Sequence, residues 1–227
     1  MNVYTYWENT PGNTMPVYIQ RCLDTISKRC DHVHLTPDNI HEYVSDLHPK
    51  VDEFRVMAHK ADYLRTCILE QNGGLWLDCD MIMTEEPQQA LDALKDHDYV
   101  CALNYMGQPA ISYIGSQRGG KVVTQWRKDI EDYLDSGKTA FNWTQIGSDL
   151  VAKSLSNVSW HQLPTDLVLP IPFSRFDLFL RPGLDWVPSP GTLSIALYNS
   201  QMPKYIKEMD DIMDKHILLS RLLRTYT

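Results

Sequence analysis

No stretch of this sequence stays apolar over the roughly 18 to 20 residues that a bilayer-crossing helix needs, and Met1-Asn2-Val3-Tyr4-Thr5 lacks the basic and apolar pattern of a secretory leader. A soluble chain with no transmembrane segment is the expectation. The five cysteines (Cys22, Cys30, Cys67, Cys79, Cys101) are odd in number and contain no CxxC pair, which argues against a disulfide framework and a zinc knuckle. They read as reduced thiols of a cytosolic compartment. The eight histidines show no HExxH or similar ligand spacing. Nor is there a long basic run: 21 Lys plus Arg stand against 29 Asp plus Glu, a net charge of −8, so no nucleic acid is expected as partner. No internal repeat or low-complexity tract is present, and Pro11-Gly12-Asn13 is a poor version of a glycine-rich, cationic phosphate loop.

What the sequence does hold is enough for one sizeable core, since 43% of its 227 residues are hydrophobic and a chain of this length buries roughly 70% of its unfolded surface. Strand and helix patterns alternate, which predicts a single mixed α/β domain over residues 1–227. Val3–Trp7 reads as a strand, residues 9–13 as a loop, and Pro16–Lys28 as a helix. His32–Leu35 reads as a second strand and residues 36–39 as a turn into a short helix. From Phe54 to Asn72 the apolar Met57, Ala61, Leu64 and Ile68 recur at helical spacing, and Gly73-Gly74 stands where a C-terminal cap belongs, predicting a long amphipathic helix. Leu75-Trp76-Leu77 is a short apolar strand. A helix over Pro87–Lys95 and a buried strand over Tyr99–Leu103 follow. Further expectations are a strand near 110–114, helices near 120–134 and 143–155, strands near 160–163 and 167–171, and a terminal helix from Pro203. Residues 181–191, rich in proline and glycine, read as an active-site loop whose Trp186 orders over a ligand.

The Leu75–Leu77 strand runs straight into Asp78-Cys79-Asp80. Two carboxylates at the carboxyl end of a strand lie where ligands collect in α/β sheets. Asp96-His97-Asp98 has the same spacing but precedes its strand and so lies at the wrong edge. Residues two apart in extended chain share a side, so Asp78 and Asp80 can face one hard cation such as Mg2+ or Mn2+ while Cys79 turns inward. The alternative is a solvated turn. On the preceding helix Asp62 and Arg65 are three residues apart, which on its own also describes an ordinary ion pair.

The ordered stretch from Ala58 to Met81, with Ala61-Asp62-Tyr63-Leu64-Arg65, Gly73-Gly74 and Asp78-Cys79-Asp80, resembles the core of the DXD-motif glycosyltransferases of the capsular polysaccharide synthesis and initiating mannosyltransferase types. The opening Tyr4–Glu8, with Met15-Pro16 and its helix, is similar as well, and the resemblance fades beyond Leu103. It implies a GT-A fold, Rossmann-like with a mixed, mainly parallel central sheet, in which residues 1–103 bind a nucleotide-diphosphate sugar and residues 104–227 face the acceptor. It also implies a divalent cation, usually Mn2+, with Asp80 as direct ligand and Asp78 at the donor ribose or a metal-bound water. Asp62 and Arg65 would hold the donor sugar and diphosphate, and Thr5, Tyr6 and Trp7 would border the base, although Trp7 also fits a core role. A UDP-sugar is the preferred donor and a GDP-sugar the second, with a glycan or other hydroxyl as acceptor.

One departure stands out. Where related transferases place a late metal-binding histidine, this chain has Ser194–Ser200 without one, leaving Asn199 or Ser200 to meet the metal or diphosphate, or simply to form a turn. For an inverting reaction the candidate base is Asp149, after Gly147, though it equally fits an acidic first-turn helix residue; Asp166, Asp177 and Asp185 are weaker candidates. A bacterial cytoplasm or a virus-infected host cell is the expected location. The competing functions are a metal-dependent nucleotidyltransferase or sugar-nucleotide pyrophosphorylase, and a non-catalytic carbohydrate-binding scaffold.

Overall fold

A computed structural model describes residues 1–11, 14–156 and 158–227. Gly12 and Asn13, part of the predicted loop and of the phosphate-loop comparison, lie outside the described residues. Strand β1 (Val3–Tyr6) leads through α1 (Val17–Ser27) to β2 (His32–Leu35), and two 3-10 turns precede α2 (Met57–Asn72). There follow β3 (Gly74–Leu77), β4 (Met81–Met83), α3 (Gln88–Ala93), β5 (Tyr99–Leu103), β6 (Pro109–Ser116) and α4 (Lys121–Asp135). The remainder comprises α5 (Ser148–Leu155), β7 (Trp160–Leu163), α6 (Thr165–Val168), β8 (Ser194–Ala196), α7 (Lys204–Lys207) and α8 (Leu218–Tyr226).

Six strands form one sheet in the order β2-β1-β3-β6-β5-β7, in which only β6 runs against its neighbours. The sheet is thus mixed and mainly parallel, as predicted. Alternation along each strand feeds two cores. Val3, Leu75, Leu77, Val100 and Ala102 pack with α1 and α8, whereas Tyr4, Tyr6, Trp76, Tyr99 and Cys101 pack with α2, α4 and α5. Covering both faces makes the strands read as short continuous apolar runs. Strands β4 and β8 form a separate antiparallel pair against α1.

The structure corrects several expectations. The segment 167–171 is no strand: Pro164 caps the short α6, and Pro170 and Pro172 lack the N–H groups a sheet ladder requires. The helix expected from Trp143 begins only at Ser148, and the one expected from Phe54 at Met57. The terminal helix is broken: a 3-10 turn over Ile212–Asp214 follows α7, and Ile217 bridges to Pro182 in extended conformation just before α8. Most consequential is α2, which is not amphipathic: every residue from Asp62 to Leu69 is buried, since α4 covers the side turned away from the sheet. Asp62 and Arg65 therefore lie inside the protein.

The turn from α2 into β3 is fixed by two glycines. Gly73 adopts φ 67° and donates its N–H to Leu69 O, closing the helix. Gly74 has φ 105°, and a Cβ there would lie 2.5 Å from the Asn2 carbonyl oxygen of β1's lead-in. Gly74→Ala is expected to lose at least about 2 kcal/mol, a fall in Tm of roughly 4 to 8 °C. Thermal unfolding of the variant checks this, and an unchanged Tm would show that the backbones can part without cost.

Candidate active site

Parallel pairing of β1 with β3 brings their carboxyl ends side by side, so the chain leaves the sheet at Tyr6-Trp7-Glu8 and at Asp78 along one edge. The Asp78 N–H bonds Ser112 O of β6 at 2.8 Å, extending the ladder by one residue. A tight turn then returns the chain into β4, with Met81 N–H on Asp78 O at 3.2 Å. Buried Cys79 turns inward, its thiol donating to Tyr6 O at 3.1 Å. Asp80 meets the end of β8: Leu197 N–H bonds its backbone oxygen at 2.9 Å, and Asn199 N–H bonds its Oδ2 at 2.7 Å. Tyr198 makes this possible by adopting left-handed φ 56°, which swings the Asn199 amide toward the carboxylate. The Asn199 side-chain oxygen accepts from Tyr18 OH of α1.

These groups border a cavity of about 400 Å³, within the range of small-ligand sites. Behind it lies a buried charge cluster. Arg65, 3% exposed, places Nη2 3.0 Å from Asp62 Oδ1 and 3.1 Å from Asp78 Oδ1. Its Nη1 donates to Ile111 O, and its guanidinium lies 5.2 Å from the Trp76 ring centre. Trp76 Nε1–H donates to the same Asp78 oxygen at 3.1 Å. Burial pushes Asp62 up to about 7, with the Arg65 charge opposing and the Asp78 charge adding. Burial, then the facing Asp78 charge, pushes Asp80 up to about 6, against the pull of the Asn199 amide. Arg65 is thus shared by two carboxylates while Asp80 has no cationic partner among the described residues, and the excess negative charge suits a divalent cation.

The sequence-predicted residues separate clearly. Tyr6, Trp7, Arg65, Asp78 and Asp80 all border the cavity, as do Asn199 and Ser200. Thr5 does not: strand alternation turns it to the opposite face, where it is fully buried and its hydroxyl lies 2.8 and 2.9 Å from His32 and His34 ring nitrogens. Asp62 is held behind Arg65, away from the cavity lining, and Gly147 makes room for it; a Cβ there would lie 3.1 Å from Asp62 Oδ2. The glycine admits this carboxylate and the Ile111 side chain, whose Cδ1 would lie 2.7 Å from such a Cβ, rather than substrate. Asp149 is an exposed first-turn residue bonded to Thr144 Oγ1 at 3.0 Å and not a cavity residue, so it is not placed to serve as base. Asp166, Asp177 and Asp185 likewise lie outside the cavity lining. The 181–191 loop is also outside it, bound by Arg221 through Leu184 O and Trp186 O, so it is not placed as a lid.

Sequence reasoning missed Glu8, Ser112, Trp143, Phe173 and Tyr198, which also border the cavity. Glu8 accepts from Tyr6 OH at 2.6 Å and from Lys60 Nζ at 2.7 Å. No local sequence pattern marks Trp143 or Phe173, whose exposure is set by tertiary packing.

Residues 1–162 match the model of the family described as capsular polysaccharide synthesis protein. No curated protein matches the chain. Among solved structures it is similar to the glycosyltransferase GlyE of Streptococcus pneumoniae TIGR4, at 11% identity and a TM-score of 0.57. That match covers 99% of this chain and 63% of the GlyE chain. An active-site mutant of LgtC is similar at 10% identity and a TM-score of 0.50, over 86% of each chain. Such identities speak to fold, and the fold they share with this chain is GT-A. The Asp62 to Asp80 site lies within the matched region, and the chain belongs to the capsular polysaccharide synthesis protein family.

Proposed function

We propose that the chain is a metal-dependent glycosyltransferase that moves a sugar from a nucleoside diphosphate, UDP first and GDP second, to an acceptor hydroxyl. The observation that carries this reading is the juxtaposition of Asp78 and Asp80 with the Asn199 amide at the cavity formed by the carboxyl ends of β1 and β3. Among the described residues no group of three or more His, Cys, Asp or Glu converges as a metal site. The protein would thus supply the two hard carboxylates and leave further positions to phosphate oxygens and water. Mn2+ or Mg2+ held there supplies positive charge against the departing diphosphate.

The residues themselves do the positioning. Arg65 and Trp76 fix the Asp78 carboxylate by bonding one of its oxygens, and the Asn199 amide fixes that of Asp80, so both are oriented before substrate binds. Tyr6 and Trp7, at the end of β1, border the cavity where the base would lie. In the transfer, the anomeric carbon–oxygen bond to the diphosphate breaks and a bond to the acceptor oxygen forms, while the acceptor proton leaves to a base or to the diphosphate.

Thermal unfolding with UDP or GDP, each with and without Mn2+, tests the reading. At ligand near 100 times its Kd, stabilisation of about 2.7 kcal/mol is expected, a rise of roughly 5 to 10 °C that requires the metal. A folded protein that neither nucleotide shifts with Mn2+ present would overturn it in favour of a non-catalytic scaffold. Pyrophosphate release from a nucleoside triphosphate would favour the nucleotidyltransferase.

A further inference from the structure

Two aromatic side chains break the usual rule of burial beside this cavity. Trp143 is 62% exposed and Phe173 is 52% exposed, yet both border the site from the second half of the chain. Large apolar surface left in water at a cleft marks a place for a ligand. We infer that Trp143 and Phe173 form the acceptor subsite, binding a pyranose ring of a saccharide acceptor by its apolar C–H face; this inference rests on the glycosyltransfer reading.

Both aromatics are held by a rigid backing. The Trp143 ring lies 6.3 Å from the His59 ring of α2, which meets Phe141 edge-on at 5.8 Å, and Phe141 in turn packs on Phe54 and Tyr133. His59 is 2% exposed, and neither ring nitrogen makes a well-aligned hydrogen bond, although the backbone of Asn142 and Trp143 borders it. The imidazole, tilted 51° to the indole, packs against its edge rather than stacking on it. On the other side Phe173 meets Tyr198 edge-on at 5.3 Å and 84°, and Tyr198 OH is tied to Ile171 O at 2.6 Å. Tyr198 directly precedes the Asn199 amide that binds Asp80. A ring seated on Phe173 therefore adjoins the carboxylate pair where the donor phosphates would lie.

Charge decides between a sugar and a lipid phosphate as the group received. Arg65 is the only Lys or Arg bordering the cavity among the described residues, and it is already paired with Asp62 and Asp78. A lipid-linked phosphate would bring a second anion to a site with no free cation, whereas a neutral sugar needs only flat apolar surface and hydroxyl partners such as Ser112 and Ser200.

The test is saturation-transfer NMR on the whole chain with UDP and Mg2+ present, the diamagnetic cation of the two. The probes are the methyl α- and β-pyranosides of glucose, galactose and mannose, with decyl phosphate as the anionic lipid probe. At least one pyranoside is expected to bind, with transfer strongest to the ring C–H protons of one face. Trp143→Ala and Phe173→Ala should each weaken it about tenfold, Trp143→Phe less, while the metal-dependent nucleotide shift persists in all three as proof of fold and donor site. No pyranoside signal from a protein that shows the nucleotide shift would overturn the inference, as would undiminished binding in both alanine variants or a preference for decyl phosphate. Loss of the nucleotide shift in the unaltered protein would instead overturn the proposed function.

Discussion

Asp80→Asn is expected to abolish the Mn2+-dependent nucleotide shift and to reduce glycosyl transfer on the order of 100- to 1000-fold, while leaving the ligand-free protein at least as stable as before. Asparagine keeps an oxygen for the Asn199 amide, which bonds Asp80 Oδ2 at 2.7 Å, so the end of β8 has no reason to move. What it loses is the negative charge. That charge is disfavoured in the fold, because burial and the facing Asp78 push the carboxyl up to about 6. The sign follows from linkage: a carboxylate whose folded pKa lies above its unfolded value weakens stability as pH rises through that window, and removing it relieves the penalty. A site that stays costly in the empty protein is what cation binding would exploit. Thermal unfolding at pH 7.5 with and without UDP and Mn2+ reads both halves. A variant that loses stability but keeps the nucleotide shift would show that Asp80 is a structural turn residue.

Arg65→Met is expected to be the most destabilising change near the site, by about 3 to 5 kcal/mol, or a Tm lowered by roughly 6 to 20 °C. Methionine replaces much of the apolar stem but leaves Asp62, 5% exposed, without its counter-charge at 3.0 Å. It also strips Asp78 of one of its two side-chain partners, so nucleotide binding should weaken even where the protein remains folded. Adding Asp62→Asn to Arg65→Met should recover part of the stability, because the uncompensated buried charge is then gone, but not the nucleotide shift. Wild-type stability in Arg65→Met would show that the ion pairs contribute nothing and would remove the case for Arg65 as the anchor of Asp78.

The two halves of the site differ in how far they could be read from the chain. Asp78 and Asp80 stand at the end of an apolar strand behind a glycine pair, and strand alternation alone predicts the inward turn of Cys79 that is found. The same alternation, applied to β1, should have removed Thr5 from the cavity, since Tyr6 and Thr5 face opposite sides of one strand. Asp149 was misplaced for a different reason. Glycine before a helix signals a close approach to the backbone, but sequence does not say by what, and the approaching groups are the Ile111 side chain and the Asp62 carboxylate. Trp143 and Phe173 were invisible because their interest lies in being exposed, which no local pattern in a turn-rich segment reveals.

By itself the sequence determined the alternating α/β order, the strand carrying the Asp-x-Asp pair and the glycine turn before it. All of these depend on patterns of a few neighbouring residues that act through backbone conformation and side-chain period. Only the tertiary structure decided that α2 is buried on every side, that Arg65 is shared between Asp62 and Asp78, and that Asn199 is brought to Asp80 across 119 positions of chain. Burial and charge pairing are properties of what packs around a residue, and here the covering elements, α4 and β8, come from parts of the sequence that carry no local sign of their destination.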